Sequence, residues 1–541
     1  MTHTIDLRSA ASTQVAIDVV GVSRHAGDRQ VLHDISFSVA PGEVVALVGA
    51  SGAGKTTLLE TMAGLRPPSA GTVVHDGGVG YVPQDDIIHR DLPLRRTLRY
   101  AAGLRLPAGT TAADAERIVD ETLRDLDLAD RADVRVGDLS GGQRKRASIA
   151  VELLTRPRLF FLDEATSGLD PSTSAEVLGV LRRLANRGVT VVVTTHDSAD
   201  IEACDRVVFL ARDGHLAFAG TPAEARAYFE VDHLARVYRL LNEEASPRVW
   251  AARFAAGRAP RHPAMPATVP GTVAPRGVGP VRQWALLSRR GADVMVRNRL
   301  TLAVLVGSPA LVTAMMAVLF RRGAFEAQGP EALGPAQIVF WIAFAGFFFG
   351  LTYGLLQIVG EMAVFRRERF AGLSVSAYVL SKMTVLTPVL ALVAAALLGV
   401  LRVLDRLPAL GWETYAALFL TLLVESIAAL ALGLLASAAV ADTSQATLAL
   451  PMLCFPQVLF AGAIVPIAEM AAPGRLISLG MANRWAFEAL GRVFPLESET
   501  GPTMAAYHDA FTGPAVTGWL VLATSAAVLT VATMSVLRRK S

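Results

Sequence analysis

The 541-residue sequence is poor in cysteine and lysine. The two cysteines, Cys204 and Cys454, lie in different halves of the chain, so we expect neither a disulfide framework nor a Cys-X-X-Cys metal site. Lysine occurs only at positions 55, 145, 382 and 540, although arginine is abundant, and the net charge of +3 gives no sign of a nucleic-acid-binding surface. The first 15 residues lack an apolar signal core, so we expect the N-terminal half to stay in the cytosol.

Apolar residues are abundant in the second half of the chain. Hydrophobic residues make up 52% of the sequence and the mean hydropathy is +0.42, which is too apolar for a wholly soluble enzyme. Most of the excess lies after residue 299, in six segments that are each long enough to cross about 30 Å of hydrocarbon. These predicted spans are about 300–320, 337–359, 378–401, 414–440, 445–466 and 515–537.

The pattern before residue 230 differs from the pattern after residue 280. Short apolar, β-rich runs alternate with helical stretches over residues 16–230, which predicts a mainly parallel α/β sheet, and we place this domain at residues 1–242. A stretch rich in proline, alanine and arginine follows at 243–281 and is predicted to be an extended linker. Residues 282–541 are predicted to form an all-α domain, in which a basic connecting helix precedes six spans.

A nine-residue stretch after the apolar run Val44–Val48 fits the pattern G-x-x-x-x-G-K-[ST] of a phosphate-binding loop. Backbone N–H groups of such a loop, together with the start of the following helix, are suited to phosphate oxygens. Lys55 is expected to reach the outer phosphates, and Thr56 to offer its hydroxyl to Mg²⁺. The predicted nucleotide-binding residues of this loop are Gly49, Ala50, Ser51, Gly52, Ala53, Gly54, Lys55, Thr56 and Thr57.

Polar side chains follow two other predicted strands, and Gln84, in the stretch Tyr81–Asp86, is a further candidate. Asp163 ends an apolar strand and is predicted to hold Mg²⁺, and Glu164 beside it is placed to polarise an attacking water. His196 follows another strand, where an imidazole would lie near the terminal phosphate, and Gln84 is predicted to contact both the metal and a neighbouring subunit. The predicted catalytic residues are Glu164, His196 and Gln84, and the predicted metal ligands are Thr56, Gln84 and Asp163.

A second anion site is predicted where the sequence reads Leu-Ser-Gly-Gly-Gln, before a helical Arg-Lys-Arg stretch. A serine hydroxyl and glycine N–H groups at a helix start are suited to a phosphate. One chain cannot readily close this site over its own phosphate loop, whereas two chains arranged head to tail can, with two ATP molecules between them. Asp170 would then lie at the interface. The residues predicted to contact nucleotide in this way are Ser140, Gly141, Gly142, Gln143 and Asp170.

The order of these motifs resembles that of ATP-binding cassette (ABC) domains, for which Leu-Ser-Gly-Gly-Gln is the defining signature. The resemblance implies ATP and Mg²⁺ as cofactors and the fold of a P-loop α/β nucleotide-binding domain. By the same resemblance, Gln84 is the Q-loop residue, Glu164 the catalytic base and His196 the switch histidine. ABC domains often stack the adenine on an aromatic side chain upstream of the phosphate loop. Here that stretch has no Tyr, Phe or Trp, and His25 is the candidate.

A nucleotide-binding domain before a six-span membrane domain resembles the bacterial ABCG (white/pleiotropic-drug) half-transporters, which have ABC-2 type membrane domains. Phe365–Gly372 is similar to the cytosolic coupling helix of that family, and Asn483–Leu490 is similar to a segment near its sixth span. Within the latter segment, Arg484 and Glu488 are four residues apart and are expected to pair.

The resemblance implies an ATP-hydrolysing, dimeric exporter of an amphipathic small molecule or lipid-like compound in a bacterial plasma (inner) membrane. The partner is a second copy or a similar subunit. Two other interpretations stay open: a lipid or glycolipid flippase, and a membrane-bound sensory ATPase that moves nothing. In the second span, Phe340, Phe344, Phe347 and Leu351 share a helical face that either lines an apolar cavity or packs against neighbours. Glu425, deep in the fourth span, either has a functional role, pairs with a neighbouring span or stays neutral.

Overall fold

The computed structural model describes residues 15–75, 77–243, 246–257, 278–320, 322, 335–494 and 507–540. The chain divides after Val278 into two compact units, which we describe separately. The first unit contains a β-sheet and helices, and the second consists of helices. Most of the predicted linker, residues 258–277, lies outside the described residues.

A nine-stranded sheet forms the centre of the first unit, with the strand order β4-β1-β2-β9-β8-β3-β7-β6-β5. The neighbours from β8 to β5 run parallel, whereas β1 pairs antiparallel with β2 and β4, and β8 pairs antiparallel with β9. The strands are Ile17–Ala26 (β1), Arg29–Val39 (β2), Val44–Gly49 (β3), Ala70–His75 (β4), Val79–Val82 (β5), Leu159–Leu162 (β6), Thr190–Thr194 (β7), Arg206–Ala211 (β8) and His215–Gly220 (β9).

The parallel strands are covered on both faces. Every residue of β3, β6 and β7 is buried, which explains why their sequences are continuous apolar runs. Alternate residues of β3 belong to different hydrophobic clusters, with Ala46 and Val48 in one and Val45 and Leu47 in the other. This alternation follows from the two-residue period of a strand and confirms the predicted α/β sheet with helices on both sides.

The helices of the first unit lie in the connections between the strands and after the last strand, β9. They are Lys55–Met62 (α1), Leu94–Arg105 (α2), Ala112–Asp125 (α3), Gly141–Leu153 (α4), Pro171–Ala185 (α5), Ser198–Glu202 (α6), Pro222–Phe229 (α7), Val237–Glu243 (α8) and Pro247–Ala256 (α9). Helix α9 differs from the prediction, since these ten residues were expected to form extended linker. Pro247 occupies the first turn, where proline is tolerated, and Trp250 is buried with its ring 5.3 Å from that of Phe229. Aromatic packing against the sheet domain therefore orders the start of the predicted linker.

The second unit is entirely helical in its described residues. Its helices are Pro280–Arg297 (α10), Arg299–Leu319 (α11), Pro335–Leu355 (α12), Met362–Phe370 (α13), Val375–Val403 (α14), Trp412–Ala439 (α15), Thr443–Leu459 (α16), Ala472–Leu479 (α17), Ala482–Val493 (α18), His508–Phe511 (α19) and Val516–Lys540 (α20). The predicted connecting helix corresponds to α10 and the predicted coupling helix to α13.

Five helical segments of the described chain are long and apolar enough to cross a membrane: Leu302–Leu319, Pro335–Phe370, Val375–Val403, Trp412–Ala439 and Val516–Lys540. The remaining predicted span, 445–466, differs in length. Its helix, α16, has 17 residues, which correspond to about 25 Å. Pro451 and Pro456 lie inside this helix, and the chain leaves it at Phe460. Gly462 then has a φ of +89°, a conformation that cannot continue a helix.

Small residues bring α12 and α15 into close contact. A Cβ atom at Gly350 would lie 2.2 Å from the Ser426 carbonyl oxygen, and one at Gly354 would lie 2.6 Å from the Leu430 oxygen. From the other side, a Cβ atom at Gly433 would lie 2.6 Å from a carbonyl oxygen of α12. The two backbones therefore touch, as at other membrane helix pairs in which glycine replaces larger side chains.

We expect Gly350→Ala to destabilise the second unit by about 1–3 kcal/mol, because the added methyl group must push α12 away from α15. The matched control is Gly399→Ala on α14, where a Cβ atom meets nothing within 4 Å. That change should be neutral or stabilise the helix by up to about 1 kcal/mol. Thermal unfolding of both variants in detergent checks the difference, and equal melting temperatures would contradict the close contact.

Glu425 is fully buried in α15 beside Gly346 of α12, where a Cβ atom would lie 3.1 Å from its Oε2. Neither carboxyl oxygen has a hydrogen-bond partner among the described residues, so pairing with a neighbouring span, one of the three alternatives, is not observed there. On α12, Phe340, Phe347 and Leu351 are buried within the same unit. For these three side chains, the structure shows packing against neighbouring helices.

Buried ion pairs lie within α18 and between α10 and α13. The predicted pair is confirmed: Arg484 Nε lies 2.9 Å from Glu488 Oε1, and Arg492 Nη2 lies 3.0 Å from Glu488 Oε2. A further pair was not predicted, in which Arg290 of α10 makes a two-pronged contact with Glu368 of α13, with Nη2 2.9 Å from Oε2. The side chain of Arg290 is only 6% exposed. This contact attaches the connecting helix to the coupling helix.

We expect Glu368→Ala to lower the free energy of unfolding by about 3–5 kcal/mol, because it leaves a buried guanidinium without its counter-charge. The matched control is Arg297→Ala, which removes the 3.5 Å pair between Asp293 and Arg297, whose side chain is 38% exposed. The loss there should stay below about 1 kcal/mol, as is usual for exposed pairs. Denaturation of the purified protein in detergent measures both values. Similar losses for the two variants would show that the buried pair has no special role.

Candidate nucleotide-hydrolysis site

The candidate site lies along the carboxyl ends of four neighbouring parallel strands, β3, β7, β6 and β5. The phosphate loop follows β3, and His196 follows β7 by two residues. Asp163 comes directly after β6, and Gln84 comes two residues after β5. Residues that are far apart in sequence therefore meet at one edge of the sheet, as the sequence predicts.

The phosphate loop turns sharply between β3 and α1. Gly52 and Gly54 have φ angles of +78° and +89°, which favour glycine, and a Cβ atom at Gly49 would lie 2.6 Å from a carbonyl oxygen of β8. Lys55 begins α1, and its Nζ donates to the carbonyl oxygens of Gly49 (2.9 Å) and Ala50 (3.1 Å). The side chains of Ser51 and Thr56 are exposed. The loop therefore presents N–H groups and a hydroxyl at an accessible helix start.

Lys55 lies within electrostatic range of both predicted carboxylates. Partial burial lowers the pKa of its ammonium group, and the negative charges of Glu164 and Asp163 oppose that shift. The cation and the two acids therefore belong to one electrostatic site, although they come from α1 and from the end of β6.

The two acids after β6 have different environments. Asp163 is buried, and its Oδ1 accepts a hydrogen bond of 2.7 Å from the hydroxyl of Thr194. Glu164 has a φ of +46°, and its Oε2 accepts a bond of 2.9 Å from the side-chain amide of Gln84. The amide of Gln84 therefore orients the carboxylate that is the candidate base. His196 is exposed, and its side chain has no hydrogen bond among the described residues.

Thr194 and Asp200 were missed by the sequence analysis. The hydroxyl of Thr194 accepts from the Glu164 backbone N–H at 2.7 Å while it donates to the neighbouring aspartate. Asp200, which is buried, accepts hydrogen bonds from the hydroxyls of Thr166 (2.6 Å) and Thr195 (2.8 Å). These bonds connect the loop after β6 to the loop after β7. The only sequence signal was a pair of threonines at the end of an apolar strand.

The donor set suits Mg²⁺, which prefers hard oxygen ligands and usually binds one or two carboxylates together with substrate phosphates. Asp163 supplies a carboxylate, Thr56 a hydroxyl and Gln84 an amide oxygen. The described residues contain no cluster of three or more His, Cys, Asp or Glu side chains that could hold a metal ion by themselves.

The signature turn begins α4. Ser140 and Gln143 form a reciprocal capping box, with bonds of 3.3 Å and 3.1 Å between their side chains and backbone N–H groups. Ser140 and Gly141 are exposed, whereas Gly142 is buried. It packs so closely against α5 that a Cβ atom there would lie 2.1 Å from a methyl group of Thr173. The turn therefore has a fixed shape and an accessible outer surface.

Asp170 caps the start of α5. It accepts hydrogen bonds from the hydroxyls of Ser172 (2.6 Å) and Thr173 (2.6 Å), and these bonds hold the pKa of its carboxyl group well below the usual range. Upstream of the phosphate loop, His25 is exposed, and its backbone N–H donates to Ser69. Whether His25 meets an adenine base stays a prediction.

The two halves of the chain match two known protein families. Residues 32–167 match the protein family described as ABC transporter, and residues 282–493 match the family described as ABC-2 type transporter. The chain belongs to the ABC transporters of the ABC-2 type. The nucleotide-binding half precedes the membrane half, which confirms the order and the family that the sequence motifs indicated.

The relatives that this ABC transporter chain matches are also named as ABC transporters. It is 34% identical over 499 residues to the ABC transporter ATP-binding/permease protein Rv1747 of Mycobacterium tuberculosis, which covers 87% of this chain and 57% of that protein. The chain therefore spans a little more than half the length of that relative. It is also 37% identical over 220 residues to ABC transporter G family member 22 of Arabidopsis thaliana (37% of this chain, 29% of that protein). Over 220 residues it is 36% identical to the broad substrate specificity ATP-binding cassette transporter ABCG2 of Bos taurus (37% and 33%).

Proposed function

We propose that this chain is the subunit of an ATP-driven exporter of amphipathic or lipid-like compounds, which works as a dimer in the plasma (inner) membrane. One observation carries the proposal. A full set of side chains for ATP binding and hydrolysis lies at one edge of the sheet, in the same chain as an ABC-2 type helical unit whose described residues include five long apolar helical segments.

Each residue of the site has a proposed role in ATP hydrolysis. The phosphate loop binds the phosphates through its N–H groups, and Lys55 neutralises charge on the outer phosphates. Mg²⁺ held by Thr56 and Asp163 would offset the charge that develops during cleavage. Glu164, oriented by Gln84, accepts the proton of the attacking water, while His196 reaches the terminal phosphate from the adjacent strand end.

The dimer proposal rests on the signature turn. Ser140 and Gly141 are exposed at the start of α4, where the N-terminal N–H groups can bind an anion. The phosphate loop also has an exposed edge, at Ser51 and Thr56. Two chains in a head-to-tail arrangement bring each signature turn onto the partner's phosphate loop. Each dimer then holds two ATP molecules, with Asp170 beside the interface.

The composition of the membrane unit favours an amphipathic cargo. In the described spans, charged side chains lie near the helix ends, except for Lys382 and Glu361, which pair with each other at 2.6 Å, and for Glu425. A transport route between such spans would suit apolar groups better than small ions or sugars, which need rows of polar ligands.

Transport by purified protein in proteoliposomes tests the proposal. The probes are a fluorescent short-chain phospholipid and an amphipathic dye, each measured with and without ATP, and Glu164→Gln serves as the inactive control. The proposal expects ATP-dependent movement of the dye across the bilayer. Movement of the phospholipid alone would instead support a flippase. ATP hydrolysis without movement of either probe would support a sensory ATPase and contradict the proposal.

A further inference from the structure

The signature helix α4 carries a buried lysine that contacts the Q loop of the same chain. Lys145 lies two residues after the signature motif and is only 6% exposed. Its Nζ donates to the carbonyl oxygen of Gln84 at 2.9 Å and lies 3.4 Å from that of Pro83. Asp86 lies 4.0 Å away and provides a counter-charge. The ammonium group therefore connects α4 to the backbone of the residue whose side chain orients Glu164.

The choice of lysine at this position is informative. Of the 51 lysines and arginines in the chain, only four are lysines, and the residues on both sides of Lys145 are arginines. A lysine ammonium is a compact group with three donors, so it can bond to two convergent carbonyl oxygens in a space that a planar guanidinium fits less well. Lys55 bonds to two loop carbonyls in the same way. Because Lys145 is buried, loss of these hydrogen bonds would cost free energy, since a buried ammonium group is stable only when it is paired.

The bonds form a continuous connection through one subunit. The capping box fixes the signature turn, and the first two turns of α4 lead from Ser140 to Lys145. Lys145 holds the Gln84 carbonyl, and the Gln84 amide holds the Glu164 carboxylate at 2.9 Å. In the proposed dimer, the turn contacts ATP in one site, whereas Glu164 acts in the other. One subunit therefore connects both sites.

We propose that Lys145 is a positioning residue that couples the two ATP sites of the dimer. Occupancy at the site that a subunit covers with its signature turn would set the position of Gln84, and so of the base, in that subunit's own site. This inference rests on the proposed dimer. It does not require that the cargo be identified, because ATP hydrolysis alone reports the coupling.

Mixed dimers of the full-length protein in lipid test the coupling. In all of them, Glu164→Gln in the second subunit leaves only the first subunit's base active. A double-mutant cycle then combines Lys145→Met in the first subunit with Lys55→Ala in the second. The Lys55→Ala change empties the site that the first subunit's signature turn covers. The measured quantity is the ATP hydrolysis rate at saturating ATP.

With Lys145 intact, emptying the covered site should slow the active site by roughly fivefold or more, which is the usual scale of coupling between sites. With Lys145→Met, the rate of ATP hydrolysis at the active site should already be lower when the covered site is filled. Emptying the covered site with Lys55→Ala should then change that rate by less than twofold. The matched control, Arg144→Met, also removes a cation beside Asp86 but leaves the carbonyl bonds of Lys145 in place, and it should keep the full response.

Two outcomes would overturn the inference. If the effects of Lys145→Met and Lys55→Ala simply multiply, Lys145 supports its own loop and couples nothing, even where transport persists. A strictly monomeric, active protein would remove the basis of the inference together with the dimer. Normal coupling without transport would contradict only the exporter. If Lys145→Met fails to fold, Lys145→Gln replaces it, since its polar amide tolerates this site better than a thioether. Its side chain is one bond shorter and should not reach both carbonyl oxygens, so the same loss of coupling is expected.

Discussion

Glu164→Gln should slow ATP hydrolysis by roughly 10²- to 10⁴-fold, which is the usual contribution of a general base. Glutamine has nearly the same shape but cannot accept the proton of the attacking water. The phosphate loop and Asp163 are unchanged, so ATP should still bind with close to normal affinity. Because ATP is bound but not cleaved, the variant should accumulate as a nucleotide-filled dimer. Steady-state ATPase rates and nucleotide binding to the purified protein check both parts.

A matched control for this variant is Glu176→Gln on the exposed side of α5. Its carboxylate lies 3.6 Å from Arg146 and has no contact with the strand-end site. We expect the control to hydrolyse ATP within about twofold of the normal rate, since the Glu176 side chain is 60% exposed and lies outside the site. If Glu164→Gln also kept a near-normal rate, Glu164 would not be the base.

Lys55→Ala should weaken ATP binding by about 2–3 kcal/mol, roughly 30- to 150-fold in Kd, because it removes a charge-assisted hydrogen bond to the outer phosphates. The change also removes the bonds from Nζ to Gly49 and Ala50. Hydrolysis should fall further than binding, because the same ammonium stabilises charge in the transition state. Binding of a fluorescent ATP analogue and ATPase rates measure the two losses.

Binding of a phosphate-free analogue provides a control for Lys55→Ala. Adenosine makes no phosphate contact, so its weak affinity should not change in the variant. The melting temperature without nucleotide should also stay close to that of the unmodified protein, since Lys55 is only partly buried. Unaltered ATP affinity would show that these nine residues do not bind the phosphates.

The strand-end site was predictable because its parts follow from local patterns. Apolar runs that end in polar residues predict buried parallel strands, and the carboxyl ends of such strands share one edge of the sheet. This places Asp163 and His196 beside the phosphate loop without knowledge of the strand order, whereas Gln84 was assigned by resemblance to the Q loop and not from a predicted strand. The order β3-β7-β6-β5 itself could not be predicted, because it depends on packing between segments that are distant in sequence.

Other features depend on contacts that a linear pattern does not contain. Proline at position 247 indicated a linker, but Trp250 packs against aromatic residues of the sheet domain, including Phe229, and this packing stabilises a helix there. The apolar run at 445–466 indicated a full span, yet its helix ends at Leu459. The roles of Thr194 and Lys145 come from bonds to residues 31 and 61 positions away. Such long-range bonds are visible only in the folded chain.

The most direct test of the account asks whether each ATP site is shared between two chains. One mixed dimer pairs an unmodified chain with a chain that carries both Lys55→Ala and Ser140→Arg. The other pairs a Lys55→Ala chain with a Ser140→Arg chain. The measurement is the number of ATP molecules occluded per dimer, with Glu164→Gln added to every chain to prevent turnover.

Shared sites predict opposite results for these two dimers. When both changes are in one chain, each site has one defective half, so no ATP should be occluded. When the changes are in different chains, both defects fall in one site, and one ATP per dimer should be occluded. If each chain instead builds its own complete site, the first dimer would occlude one ATP and the second none, which would contradict the account.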